Sequence, residues 1–213
     1  TKKNLNQPNF PSIAYLDSSF TDQLSYNITV NTAIDAFTHL VESYLNTNAT
    51  YLTDMYGEKG FELFKDCFDA MLTKKLTKEF RDKVMLASLF AGFNIAQVGT
   101  SLPHGMGYAL TYRKGLPHGL ANGILTVEYL RSFKNQDKIN KMLNLIGRAD
   151  LKELDKTFKS LYQSLDIKIS RQEISDYTNE FIKNEEKLKN HPETINEKEI
   201  QTIYYNSLKE YII

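Results

Sequence analysis

Apolar residues recur at helical spacing along most of this chain. Over residues 32–45, Ile34, Phe37, Val41 and Leu45 fall on one side of a helix, with Asn31 or Thr32 available as cap. The same reading predicts helices over residues 54–72, 77–98, 118–133, 136–148, 151–165, 171–189 and 196–211, with Ser170 as an N-cap. Gly99 to Pro103 and Gly115 to Pro117 interrupt the pattern. Residues 1–22 differ: Pro8, Pro11 and the run from Ser12 to Leu16 predict an extended segment that stops at Asp17-Ser18. The fold class expected is all-α, a bundle of about seven to nine helices behind that segment. The division is therefore 1–22, extended, and 23–213, helical.

Charge changes this picture by saying what is inside. Residues 84–130 carry only Arg113, Lys114 and Glu128, whereas residues 134–213 are dense in Lys and Glu. The first block is expected to form the core and the second to wrap it with amphipathic helices. The uncharged run from Val84 to Tyr112 is broken by Asn94, Gln97, Pro103 and His104. Its apolar part falls short of the roughly 20 residues a membrane span needs, so no membrane partner is expected. Lys and Arg total 26, as do Asp and Glu, and this zero net charge argues against nucleic acid as a partner. The single cysteine, Cys67, permits no internal disulfide, which fits a cytoplasmic location; it reads as a small buried apolar residue.

Candidate chemistry lies with the histidines. There are four, and three of them (His39, His104, His118) sit in the weakly charged part. His191 lies in a highly charged stretch and is expected to be solvated. Asp35 and His39 are four apart, which stacks them on one helix face, and Glu42 continues the stripe. A carboxylate buried on an apolar helix costs several kcal/mol unless it is paired or bound to a cation. On its own such a pair is more often a hydrogen-bonded pair than a ligand set. A second cluster adds Ser101-Leu-Pro-His104-Gly-Met-Gly-Tyr108 and Gly115-Leu-Pro-His118-Gly-Leu-Ala-Asn122. Each histidine there follows a proline, which suits helix entry, and precedes a glycine, which permits close approach. Three imidazoles and one carboxylate make a donor set suited to Fe(II) or Zn(II).

These motifs carry a resemblance. Thr32-Ala-Ile-Asp35-Ala-Phe-Thr-His39-Leu-Val-Glu42-Ser-Tyr44 resembles the Gly-Met-Asp-Ala-Leu-Thr-His-x-x-Glu-x-Tyr signature of the iron-containing (group III) alcohol dehydrogenase family. His104 and His118, fourteen apart, match the two His-Gly positions of that family's second signature. Residues 81–99 resemble the helix before the histidine pair, Asn190-His-Pro192 with residues 195–208 the closing helix, and residues 11–21 the crossing strand at the start of the family's second domain. The resemblance implies that Asp35, His39, His104 and His118 hold the metal. It implies Lewis-acid activation of an alcohol or aldehyde and hydride exchange with NAD or NADP. Glu42 is then a carboxylate that orients a ligand histidine, or one that pairs with a lysine.

Two departures qualify the match. Tyr108 stands where the family usually has a second histidine, so its phenol either relays a proton or shapes the pocket. No glycine-rich turn for a pyrophosphate occurs, although the family's nucleotide-binding domain should precede this region. The chain is thus expected to be a fragment, inactive alone, that partners an upstream nucleotide-binding domain. Leu102, Met106, Tyr108, Leu110, Tyr112 and Leu116 would then form an open apolar face that favours homo-oligomers. Two alternatives remain: a non-catalytic metal-binding pseudoenzyme domain, and a metal-dependent lyase or hydrolase of related fold. The Tyr204-Tyr205 pair is expected to serve helix packing.

Overall fold

The computed structural model describes residues 10–162 and 165–213. Ten α-helices occur among them: α1 Tyr26–Tyr44, α2 Tyr51–Leu72, α3 Lys78–Val98, α4 Leu102–Lys114, α5 His118–Arg131, α6 Asp137–Leu145, α7 Leu151–Leu161, α8 Arg171–Phe181, α9 Glu185–Lys189 and α10 Glu197–Leu208. No named strand occurs among the described residues; Ile169 and Ile212 form one isolated bridge. The all-α class is therefore correct. Residues 10–17 hold no helix or strand and lead into a 3-10 turn at Ser18–Thr21; residues 1–9 of the expected extended segment lie outside the described residues. No single helix among the described residues is long and apolar enough to cross a membrane, and α3 and α4 bend by 108° at their junction.

Helix α1 is the spine. It packs against α2, α3, α4 and α5. Ala33, Ile34, Phe37, Leu40 and Val41 are fully buried, so it is apolar around most of its circumference, as a central helix must be. Phe37 meets Phe61, Phe64, Phe68 and Phe158 edge to face, with ring centroids 5.1–5.9 Å apart. Gly60 lets α2 come close: a Cβ there would lie 2.6 Å from Leu40. Cys67 is buried and its thiol donates to the Leu63 carbonyl. Of the pair expected to serve helix packing, Tyr204 is buried and donates to the Met106 carbonyl at 2.8 Å, whereas Tyr205 is 37% exposed.

Several boundaries differ from expectation, each for a local reason. α1 starts at Tyr26, because the Ser25 side chain accepts from the Ile28 N–H and Thr29 and Val30 are already buried. α2 starts at Tyr51 through a reciprocal Thr50–Thr53 capping box. The helix expected over 171–189 is two helices. Asn184 accepts from the Lys187 N–H and starts α9, which turns the Lys187 ammonium onto Thr100. The eight helices read from the sequence thus become ten rather than seven to nine: this break adds one, and α4, where the sequence pattern was read as interrupted, adds the other. The helix expected over 151–165 ends earlier, at Leu161, where Tyr162 turns extended; residues 163 and 164 lie outside the described residues.

Two surface expectations are overturned. Leu102, Met106 and Leu110 recur every four residues and point into the core with Leu116; only Tyr112 stands out at 90% exposure, with Tyr108 half-buried. The exposed apolar side chains sit elsewhere, notably Phe10, Ile13, Tyr15 and Phe20. His191 is buried rather than solvated, its ring 4.7 Å from that of Phe133 and 5.7 Å from that of Tyr129.

Burial pushes the His191 imidazole down from 6.5 to about 4, so the fold holds it neutral. The unfolded chain takes up a proton near 6.5 that the folded chain refuses. The contribution of neutral His191 is whole above that value and is lost as pH falls through about 4. The fall in urea stability between about pH 7 and about pH 4.5 is expected to be roughly 2 kcal/mol smaller in His191→Gln than in the wild type. Parallel pH dependences for the two proteins would show that His191 is not the group responsible.

Candidate metal centre

The site forms where the side of α1 meets the starts of α4 and α5. Helical periodicity presents Asp35, His39 and Glu42 together from α1. Gly99, with φ of 73°, turns the chain out of α3 and into α4, where Pro103 and His104 lie in the first turn. Pro117 precedes His118, the first residue of α5. A Cβ at Gly119 would fall 2.0 Å from the Asn31 carbonyl oxygen, so only glycine lets α5 begin this close to α1.

Glu42 is the floor of the site. It is fully buried and accepts from the Ser101 N–H at 2.7 Å, the His104 N–H at 3.2 Å and the His104 ring at Nδ1. The Ser101 side chain makes no cap. The carboxylate of a different helix therefore satisfies the open N–H groups of α4, and its charge suits the positive end of the helix. Of the two readings of Glu42, the geometry gives the one in which it orients a histidine.

Around this floor stand the other groups. Asp35 Oδ1 lies 3.4 Å from His104 Nε2 and 4.0 Å from His118 Nε2, and Asp35 Oδ2 lies 3.8 Å from His39 Nδ1. Donor atoms of Asp35, His39 and His104 all fall within 4.8 Å of one another, as a shared ion requires. His118 stands at the margin of this group and accepts from the Asn122 amide at 3.2 Å. The Tyr108 ring stacks on His118, with centroids 5.5 Å apart and planes 10° apart. His104 is 3% exposed at its side chain, against 21–27% for His39, His118 and Asp35. The site thus has a dry floor and an open rim.

The titration of these groups follows from their crowding. Burial would raise the Asp35 carboxyl, but the His104 ring facing it and the neighbouring His39 and His118 imidazoles hold it at about 2. Burial and the nearby His104 push His39 down to about 4. Burial opposes the charge on His104, yet Glu42 and Asp35 on either side raise it to about 9. Burial, with Glu42 and Asp35 nearby, raises the Tyr108 phenol.

The donor set can be tested for fit to a cation. His104 Nδ1 faces Glu42, so the proton of the neutral ring belongs there and Nε2 carries the lone pair. That Nε2 is buried without a hydrogen-bond partner and looks at the Asp35 carboxylate, acceptor against acceptor. Either a second proton or a cation resolves that confrontation. The residues fit a cation of the Fe(II) or Zn(II) kind.

The family model for the Fe-containing alcohol dehydrogenase family, C-terminal, matches residues 29–208. The chain belongs to this family. A 4-hydroxybutyrate dehydrogenase from Clostridium kluyveri is 27% identical over 79% of the chain and 47% of that protein. A 1-propanol dehydrogenase from Citrobacter freundii is 33% identical over 54% of the chain and 31% of that protein. Among solved structures, an iron-containing alcohol dehydrogenase from Thermotoga maritima superposes with a TM-score of 0.82 at 30% identity, over 94% of the chain and 55% of that structure. The chain spans about half the length, or less, of these proteins.

Of the four residues that sequence reading placed in one site, the structure groups Asp35, His39 and His104 within reach of a shared ion and sets His118 at the edge, 4.0 Å from Asp35. Sequence reading gave no role to Asn122, although the spacing of one helical turn after His118 was a signal. Removing the Glu42 carboxylate would leave two backbone donors and one ring donor buried without a partner. Glu42→Ala is expected to lose about 3–5 kcal/mol of stability in urea denaturation, and Glu42→Gln less. A loss below about 1 kcal/mol would mean that α4 does not depend on this carboxylate.

Proposed function

We propose that this chain is the metal-binding and substrate domain of an NAD(P)-dependent alcohol dehydrogenase that interconverts an alcohol and an aldehyde or ketone. The observation that carries the reading is the buried, unpartnered His104 Nε2, facing Asp35 beside His39 and backed by Glu42. Asp35, His39, His104 and His118 would hold Fe(II) or Zn(II). When bound, such an ion supplies Lewis-acid polarisation of a substrate oxygen, while NAD or NADP supplies the hydride chemistry.

The chain's own residues prepare the site. Glu42 fixes the tautomer and orientation of His104. Asp35 stays ionised and gives the rim a fixed negative charge. Tyr108, stacked on His118, keeps its proton at neutral pH and could hand it to, or share it with, a substrate oxygen. The nucleotide would be bound by an upstream domain, since these residues hold no glycine-rich phosphate turn. The roughly twofold greater length of the relatives supports that reading, and so does the absence of any cysteine besides Cys67 support a cytoplasmic setting.

The test begins with metal. Purified protein reconstituted with Fe(II) or Zn(II) is expected to hold about one ion per chain. At a free ion concentration a hundredfold above Kd the melting point should rise by about 5–10 °C and fall back with chelator. No uptake and no shift would reject the site. Joined to a nucleotide-binding domain, the loaded chain should reduce NAD or NADP with a small alcohol; metal uptake without that absorbance change would favour a pseudoenzyme, a lyase or a hydrolase. In the joined protein, Tyr108→Phe is expected to lower turnover about a hundredfold and to alter the pH–rate profile. An unchanged profile would leave Tyr108 a packing residue.

A further inference from the structure

Asn122 is a fully buried polar residue on α5, one turn after His118. Its amide nitrogen donates to Asp35 Oδ1 at 3.1 Å and to His118 Nε2 at 3.2 Å. One NH2 group thus sits between a carboxylate of α1 and an imidazole of α5. Its carbonyl oxygen gains nothing in return, being buried without a partner. The place is cut to shape: a Cβ at Gly107 would lie 2.1 Å from that oxygen, so α4 carries a glycine where the amide needs room. Local structure does not explain such a residue, because its side-chain bonds go only to the two candidate ligands.

We infer that Asn122 is a positioning residue of the metal centre, which holds Asp35 and His118 in ligating form before the ion arrives. This rests on the metal reading given above. An imidazole that accepts at Nε2 carries its proton at Nδ1, which is the tautomer an Nε2 ligand must have. The amide hydrogens also put partial positive charge between groups that would otherwise face each other as acceptors. A single lone pair cannot serve two partners, so His118 leaves the amide when it ligates, while the bond to Asp35 can persist.

The experiment measures Zn(II) affinity of the full chain by competition with a chromophoric chelator. Asn122→Leu keeps the volume and removes both donors; because the bond to Asp35 persists in the loaded site, its loss is expected to lower affinity about ten- to a hundredfold, as for other groups that orient ligating carboxylates. Gly107→Ala leaves every candidate ligand and Asn122 in the sequence but crowds the amide, and is expected to fall in the same direction by less. Nitrogen-15 spectra of the metal-free protein in mildly alkaline buffer should show His118 protonated at Nδ1 in the wild type and a mixed population in Asn122→Leu. If the wild type binds Zn(II) and both variants match or exceed it, the inference is overturned and the metal site stands. An unchanged His118 tautomer in Asn122→Leu overturns it as well, and if that variant does not fold, an unshifted affinity in Gly107→Ala does so. If the wild type takes up no Zn(II), the metal reading itself fails and takes the inference with it.

Discussion

The grip of Glu42 on the start of α4 is the contact on which the site depends. A buried carboxylate needs strong partners, and this one has three: two backbone N–H groups of α4 and the His104 ring. Those partners are also what fix His104. The helix needs an anion at its open end, the anion needs donors, and the histidine needs one nitrogen held so that the other is free to bind. One side chain meets all three requirements, so the position of His104 follows from the capping of a helix.

The remaining ligands inherit their positions from α1. Because α1 is buried on nearly every side, it cannot rotate or slide without opening the aromatic cluster around Phe37. Asp35 and His39 are thereby fixed to a rigid element. Gly119 then brings α5 against α1 at backbone contact distance, which sets how far His118 stands from Asp35. The open rim and dry floor result from the same packing: the floor lies between α1 and α4, and the rim faces outward along α5.

Much of this was legible in the sequence because it is local. Asp35, His39 and Glu42 share a face by helical period, and the Pro-His-Gly repeats marked His104 and His118 as helix starts. What could not be read depended on direction or on distant partners. His191 sits among Lys189, Glu193 and other charged residues, yet its ring turns inward against Tyr129 and Phe133; composition averages over directions that a fold separates. The residues expected to form an open apolar face were misread for a related reason. Leu102, Met106 and Leu110 are a core stripe, and only Tyr112 lies off it. The Asn184 cap that divides α8 from α9 was hidden inside a run rich in Glu and Lys. The capping of α4 by Glu42 had no local signal at all.

The span of that capping contact bears on how the protein reaches its native state. Glu42 and Ser101 are 59 residues apart, and Asp35 and Asn122 are 87 apart. Helix α1 can form early from neighbouring residues, but its carboxylates find their donors only after α2 and α3 have folded back and α4 has begun. Closing such long loops costs chain entropy before the contacts repay it. Early intermediates would hold Asp35 and His39 on a nascent helix without the floor that makes them a site. An ion could then select the finished fold over its precursors, yet could not serve as the nucleus from which folding starts.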